Sequence, residues 1–331
     1  MTKIQILSSL AICTNFIIML NRRHIRVKVM QSIYAILQSN SDDIVKEEKF
    51  LKFSVTKIYD LYVLILGLLV EVRDLSEKHL EITKKKYLAT TEDKNPSRKF
   101  VDHPFLIGLK NNLSLQDYIK TQKLKNWKED SEYVRLIWDA IKDSEIYTNY
   151  MLGAKPKSPK EELIFIEDIY KNIIAPNDKL FDYFESHNIT WVDDIPFVNT
   201  WIVRNLKKIN LHTRFEKNKL YKDAEDEDFC LELFKKSVLH HHEFMDDIDA
   251  KTPNWDTDRI AEVDFILIKM ALIEFVYFPS IPTRVTINEY IEIAKDYSTA
   301  KSSFFINGVL DKLLKDFTAT NKIEKIGRGL L

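Results

Sequence analysis

The sequence predicts an all-α fold, and three observations carry that prediction. Only six glycines occur in 331 residues, about 2%, where roughly 7% is usual. Apolar residues recur at helical spacing along much of the chain, and no run alternates with the period of two that a half-buried strand needs. An apolar share of 45% supplies real cores, and the length suggests about two structural units.

Taken in order, the chain opens on an apolar leader, Ile4 to Leu20, interrupted by Ser8, Ser9, Thr14 and Asn15. It lacks the roughly 20 unbroken apolar residues of a membrane span, and no small-x-small cleavage site precedes Asn21. Residues 1–18 are read as an extension from an upstream start, dispensable for folding, with a docked segment or a targeting signal as alternatives. Asn21 then caps a helix to about Gln38, with Ile25, Val29, Ile33 and Leu37 along one face. A second helix runs from about Lys46 to Lys85. Its centre, Tyr62 to Val70, is apolar on every side, which predicts burial between partners, and is too short to span a bilayer. Lys84 to Lys99 reads as a solvated basic loop around Asn95-Pro96-Ser97. Up to Asp223 the pattern stays helical, broken by Pro104, Pro156, Pro159, Pro176 and Pro196, without assignable chemistry. The acidic run Asp223, Glu225, Asp226, Glu227 and Asp228 suits a helix N-terminus ahead of Leu231, Phe234, Val238 and Leu239. Three helices follow, about Asp256–Phe278, Thr283–Tyr297 and Ser302–Phe317. In the last, the stripe Ile306, Val309 or Leu310, Leu313 and Phe317 faces inward, so Phe304 points away from the core and Phe305 lies at its flank.

Several chemistries are excluded. Phosphate-cradling loops need closely spaced glycines, and Gly67, Gly108 and Gly153 stand far apart. No G-x-S-x-G and no readable Ser, His and Asp set occurs, so neither enzymatic activity nor a cofactor is expected. Cys13 and Cys230, without C-x-x-C spacing, indicate a reduced, cytoplasmic protein with neither disulfide nor zinc site. His240-His241-His242 with Glu243, Asp246 and Asp247 offers one helical pair, His242 and Asp246, too few for a metal site.

The segment Asn21-Arg22-Arg23-His24-Ile25-Arg26-Val27-Lys28 is more informative. A helix N-terminus is already partly positive, so each cation there is disfavoured by roughly 0.3–1 kcal/mol unless an anion meets it. With a net charge of −1, any attraction for nucleic acid has to come from such a local patch. Arg23, Val27, Gln31 and Tyr34 share one edge of the helix. Cation, amide and ring are the groups that hold phosphate, meet a base edge and stack on a base. Neutralising Arg22, Arg23 and Arg26 is expected to spare the fold.

The run Pro282-Thr-Arg-Val-Thr-Ile-Asn288-Glu289-Tyr-Ile-Glu292-Ile-Ala294-Lys295-Asp-Tyr, followed by Ser302-Ser-Phe-Phe305-Ile-Asn307-Gly308-Val309-Leu310-Asp311-Lys312, resembles the C-terminal signature of the NusB family. Val263 to Glu274 resembles that family's central buried helix, and Arg22 to Tyr34 its arginine-rich first helix. The resemblance implies an all-α NusB-like helical bundle and an antitermination factor that binds boxA-type RNA of ribosomal RNA leaders with NusE, a small-subunit ribosomal protein, within the RNA polymerase antitermination complex, without a membrane. It implies an RNA face of Arg22, Arg23, Arg26, Gln31, Tyr34, Ser302 and Phe305, and a NusE contact at Asp264. His24 replaces a usual arginine and Lys301 a usual acid.

Residues 19–80 and 226–318 are then the NusB-like parts, 81–225 an inserted helical region, and 319–331 a flexible tail. Asn288 and Asn307 are expected to bridge neighbouring helices, with Gly308 permitting close approach. Two other readings remain: a helical scaffold that binds only protein, and a module related to ribosomal RNA methyltransferases, although a glycine-rich adenosylmethionine site is missing downstream.

Overall fold

The computed structural model describes residues 20–85, 90, 94–154, 158–210, 212–216, 220–252 and 261–330. The expected leader, and the expected helix start near Asp256, lie outside these residues. Among the described residues there are fifteen α-helices and no strand. In chain order they are α1 (Arg22–Ser39), α2 (Ile44–Lys84), α3 (Pro104–Lys110), α4 (Leu113–Thr121), α5 (Asn126–Glu129), α6 (Ser131–Lys142), α7 (Glu145–Leu152), α8 (Pro159–Ile169), α9 (Asp178–His187), α10 (Asp194–Asn205), α11 (Ala224–Leu239), α12 (Met245–Lys251), α13 (Glu262–Tyr277), α14 (Thr283–Tyr297) and α15 (Ser302–Ala319).

Local chemistry sets these boundaries. The Asn21 side chain accepts from the His24 N–H at 3.0 Å and starts α1. Asn40, left-handed at φ 49°, ends it. Asp223 accepts from the Asp226 N–H at 3.1 Å and caps α11. Pro282, which fixes its own φ, precedes α14.

The chain divides into two compact units, each described by itself. One comprises Leu20–Val55 and Tyr221–Leu331. Its centre is α13, where Ile266 to Phe275 are buried on every side and α1, α11, α14 and α15 pack around it. The inward stripe of α15 is Ile306, Val309, Leu310, Leu313 and Phe317.

The other unit is Thr56–Leu220. Tyr62 to Leu69 in α2 lie at its centre, within a shell of aromatic residues. Tyr62 meets Trp201 edge-on at 4.5 Å and stacks on Phe215 at 6.0 Å. The Trp127 indole donates to the Leu64 carbonyl at 2.8 Å, and Tyr118 donates to Asp60 at 2.7 Å. A helix apolar all round needs partners all round, and the inserted segment provides them. The boundaries therefore fall after Val55 and Leu220, inside α2 rather than at its end. Among the described residues, α2 is long and apolar enough to cross a membrane by length and composition, but 78% of its most apolar window is buried in the protein. It is a core helix.

Residues 320–330 do not hang free as expected. The Lys325 ammonium donates to the carbonyls of Glu274 and Phe278 at 3.1 and 2.9 Å, capping the end of α13. The Ile326 N–H donates to the Pro279 carbonyl at 3.1 Å.

Candidate nucleic-acid interface

Helix α1 presents its basic segment to carboxylates of the chain itself. Arg22 donates through Nε to Asp226 and through Nη2 to Glu225, each at 2.7 Å. Arg23 forms a two-pronged pair with Glu289, at 2.9 and 3.0 Å, and keeps 40% of its side chain exposed. The cost of cations at a helix start is thus offset from within, and the acidic first turn of α11 serves Arg22 as well as its own helix.

Arg26 corrects the expected RNA face. Its guanidinium is 2% exposed and donates to both oxygens of the fully buried Glu274, at 2.6 and 2.8 Å. Glu274 also accepts from Thr286 at 3.1 Å and Tyr290 at 2.8 Å. Burial opposes the charge on Arg26, but the Glu274 carboxylate beside it wins and holds the guanidinium above its ordinary range. Arg26 is a core ion pair, 2% exposed at the inner wall of the groove it lines with Arg22 and Arg23, and its neutralisation is expected to destabilise the fold.

The edge of α1 is otherwise partly open. Val27 and Gln31 are half-buried, and Tyr34 is 40% exposed. In the first turn of α15 Phe304 is 80% exposed and Phe305 half-buried, as their register predicts. Ser302 departs from expectation. It is buried, with Oγ 2.9 Å from the Ser298 hydroxyl and 2.8 Å from that of Thr299, so it closes the turn between α14 and α15. Asp264, the expected partner contact, is 5% exposed in the first turn of α13, and its Oδ1 has no hydrogen-bond partner among the described residues. Asn288 is exposed and Asn307 half-exposed, while a methyl group on Gly308 would meet nothing within 4 Å. None of the three fixes helix packing, which Tyr290, Ile293, Ile306 and Leu310 supply.

Arg328 was not legible as part of this surface. It is three-quarters exposed, approaches Glu225 at 3.4 Å, and lines with Asn21, Arg22, Arg23, Pro282 and Val285 a groove of about 620 Å³. The Gly327-Arg328-Gly329 spacing was the available signal, because a Cβ at Gly329 would lie 1.9 Å from the Pro279 carbonyl oxygen. The histidine run lies past the end of α11, in a turn, so His242 and Asp246 do not share a helix. His240 pairs with Glu243 and Tyr277, and His241 lies 3.1 Å from the Lys269 amine. Burial and that neighbouring amine push the His241 imidazole down to about 4.

The NusB family profile matches residues 200–315. Three proteins named transcription antitermination protein NusB align with the chain. That of Salinibacter ruber is 38% identical over 112 residues, 34% of this chain and 70% of its own length. That of Chloroherpeton thalassium is 36% identical over 33% of this chain and 52% of its own length. That of Finegoldia magna is 36% identical over 33% of this chain and 84% of its own length. No solved structure matches the chain. With 70% of the Salinibacter protein covered at 38% identity, the chain belongs to the NusB family.

Proposed function

We infer that this protein is a cytoplasmic, non-catalytic antitermination factor that binds boxA-type single-stranded RNA of ribosomal RNA leaders together with NusE, as part of the RNA polymerase antitermination complex. The observation that carries this is the outer edge of α1, where Arg23 and Tyr34 stay at the surface while Ile25, Val29, Met30, Ile33 and Ile36 enter the core. A guanidinium has five N–H donors. Arg23 spends two on Glu289, so others remain for a phosphate, and the Tyr34 ring remains for a base.

Because Arg22 and Arg23 are already matched by carboxylates, phosphate meets a neutralised patch. RNA alone is expected to bind weakly and NusE to raise its affinity, reciprocally. Titration of labelled boxA RNA with and without NusE tests this. Tyr34→Ala is expected to weaken binding by about 1–3 kcal/mol with little change in salt slope. Arg22→Ala with Arg23→Ala lowers that slope by about 1.4, roughly 0.7 per phosphate contact. Equal affinity with and without NusE, and no effect of either variant, refutes the proposal.

A further inference from the structure

The unit Thr56–Leu220 carries a second basic surface that the RNA face does not use. From Lys120 to Lys128 the sequence holds Lys120, Lys123, Lys125 and Lys128 with no acid between them. All four are exposed and form no ion pair among the described residues. Lys123 is left-handed, at φ 55°, a conformation that favours glycine or asparagine and is disfavoured for a lysine by about 1–2 kcal/mol. The left-handed turn ends α4, with the Leu124 N–H donating to the Ile119 carbonyl at 2.9 Å, and it leaves the Lys123 side chain exposed. Helix dipoles account for only part of the cluster, since α5 has four residues and Lys125 precedes it.

These lysines rim a groove of about 470 Å³ whose floor is apolar: Leu64, Gly67, Ile119, Leu124 and Trp127. The one polar atom of Trp127 is spent on the Leu64 carbonyl. Five lysines, counting Lys110, line the groove against two carboxylates, Glu71 and Asp74, of which Asp74 is paired with Lys110 at 2.8 Å. A positive rim on a chain of net charge −1 is a local device for attracting an anionic partner.

We propose that this groove docks an acidic amphipathic helix of a partner protein, its apolar side chains on the floor and its carboxylates against Lys120, Lys123 and Lys125. The charge of the rim is complementary to such a helix, and a floor of this size takes about two or three side chains spaced i, i+3 or i+4, and i+7. RNA fits worse, because base stacking needs open aromatic faces and Trp127 is only 6% exposed. The surface acts independently of Tyr34.

The test uses the full chain and a fluorescein-labelled synthetic helix of about five turns, with leucines at i, i+3, i+4 and i+7 flanked by glutamates. Saturable binding is expected, with shifts of the Ile119 methyl resonances. It should weaken at least about tenfold in Lys120→Glu, Lys123→Glu, Lys125→Glu, whose exposed sites leave the melting temperature unchanged. Replacing the peptide's glutamates by glutamine should abolish binding, and Tyr34→Ala should leave it intact. Absence of saturable binding, binding unchanged in the triple variant, or displacement of the peptide by oligouridylate or by oleate overturns the proposal.

Discussion

Arg26 and Arg23 lie three residues apart on α1 and differ in what holds them. Arg26 and Glu274 are both inside the core, at 2% and 0% exposure, where each ion sacrifices several kcal/mol of hydration and only close pairing with further hydrogen bonds recovers it. Arg26→Ala strands the Glu274 charge and is expected to destabilise its unit by about 3–5 kcal/mol. Arg23→Ala breaks a surface pair and is expected to cost at most about 1 kcal/mol. Urea denaturation measures both. A double variant, Arg26→Met with Glu274→Gln, should lose clearly less than the two single losses together, and strict additivity would contradict a coupled pair. Part of this was legible. Arg26 falls on the same helical row as Met30 and Ile33, which are 4% and 3% exposed, so its spacing already pointed inward. The carboxylate that makes such a position tolerable lies 248 residues away, and no local pattern names it.

Helix starts and stops were readable because their causes are local. Asn21, Asp223 and Pro282 each act within one turn of the end they set. The end of α13 was not, since its carbonyls at Glu274 and Phe278 are capped by Lys325, 51 and 47 residues further on. Burial pushes the Lys325 amine down to about 8, a sign of how closely the tail is held. Two glycines separate packing from permissiveness at this scale. Gly329→Ala drives a methyl group into the Pro279 carbonyl and is expected to release the tail, cost about 1–3 kcal/mol and speed tryptic cleavage after Lys322. Gly308→Ala, in the open middle of α15, is expected to leave stability unchanged or raise it by about 0.5–1 kcal/mol, because alanine loses less freedom in a helix. Melting curves of the two variants decide both, and destabilisation by Gly308→Ala would restore a packing role to that glycine.

At the scale of the molecule, length and apolar content were enough to suggest two units but not to place their boundary. The apolar centre of α2 announced that it would be surrounded, and aromatic residues from α4 to α10 do the surrounding; sequence spacing records the need for partners but not their identity. Four of the five tryptophans, Trp127, Trp138, Trp191 and Trp201, lie in the unit Thr56–Leu220, and Trp255 lies outside the described residues. Tryptophan emission therefore reports chiefly on that unit. The proposed RNA edge lies in the other unit, and Arg22, Arg23 and Arg26 pair with Glu225, Asp226, Glu274 and Glu289 of that same unit. Trp138 is 4% exposed and packs on Phe100 at 5.3 Å and Tyr147 at 5.6 Å. Trp138→Ala leaves a cavity there and is expected to destabilise the surrounding unit by about 3–5 kcal/mol. The unfolding transition seen by tryptophan emission should move to lower denaturant, while boxA RNA affinity in the absence of denaturant holds. A loss of RNA binding equal to that of Tyr34→Ala would mean that the Thr56–Leu220 unit is itself needed for the RNA face, and that the two units do not work separately.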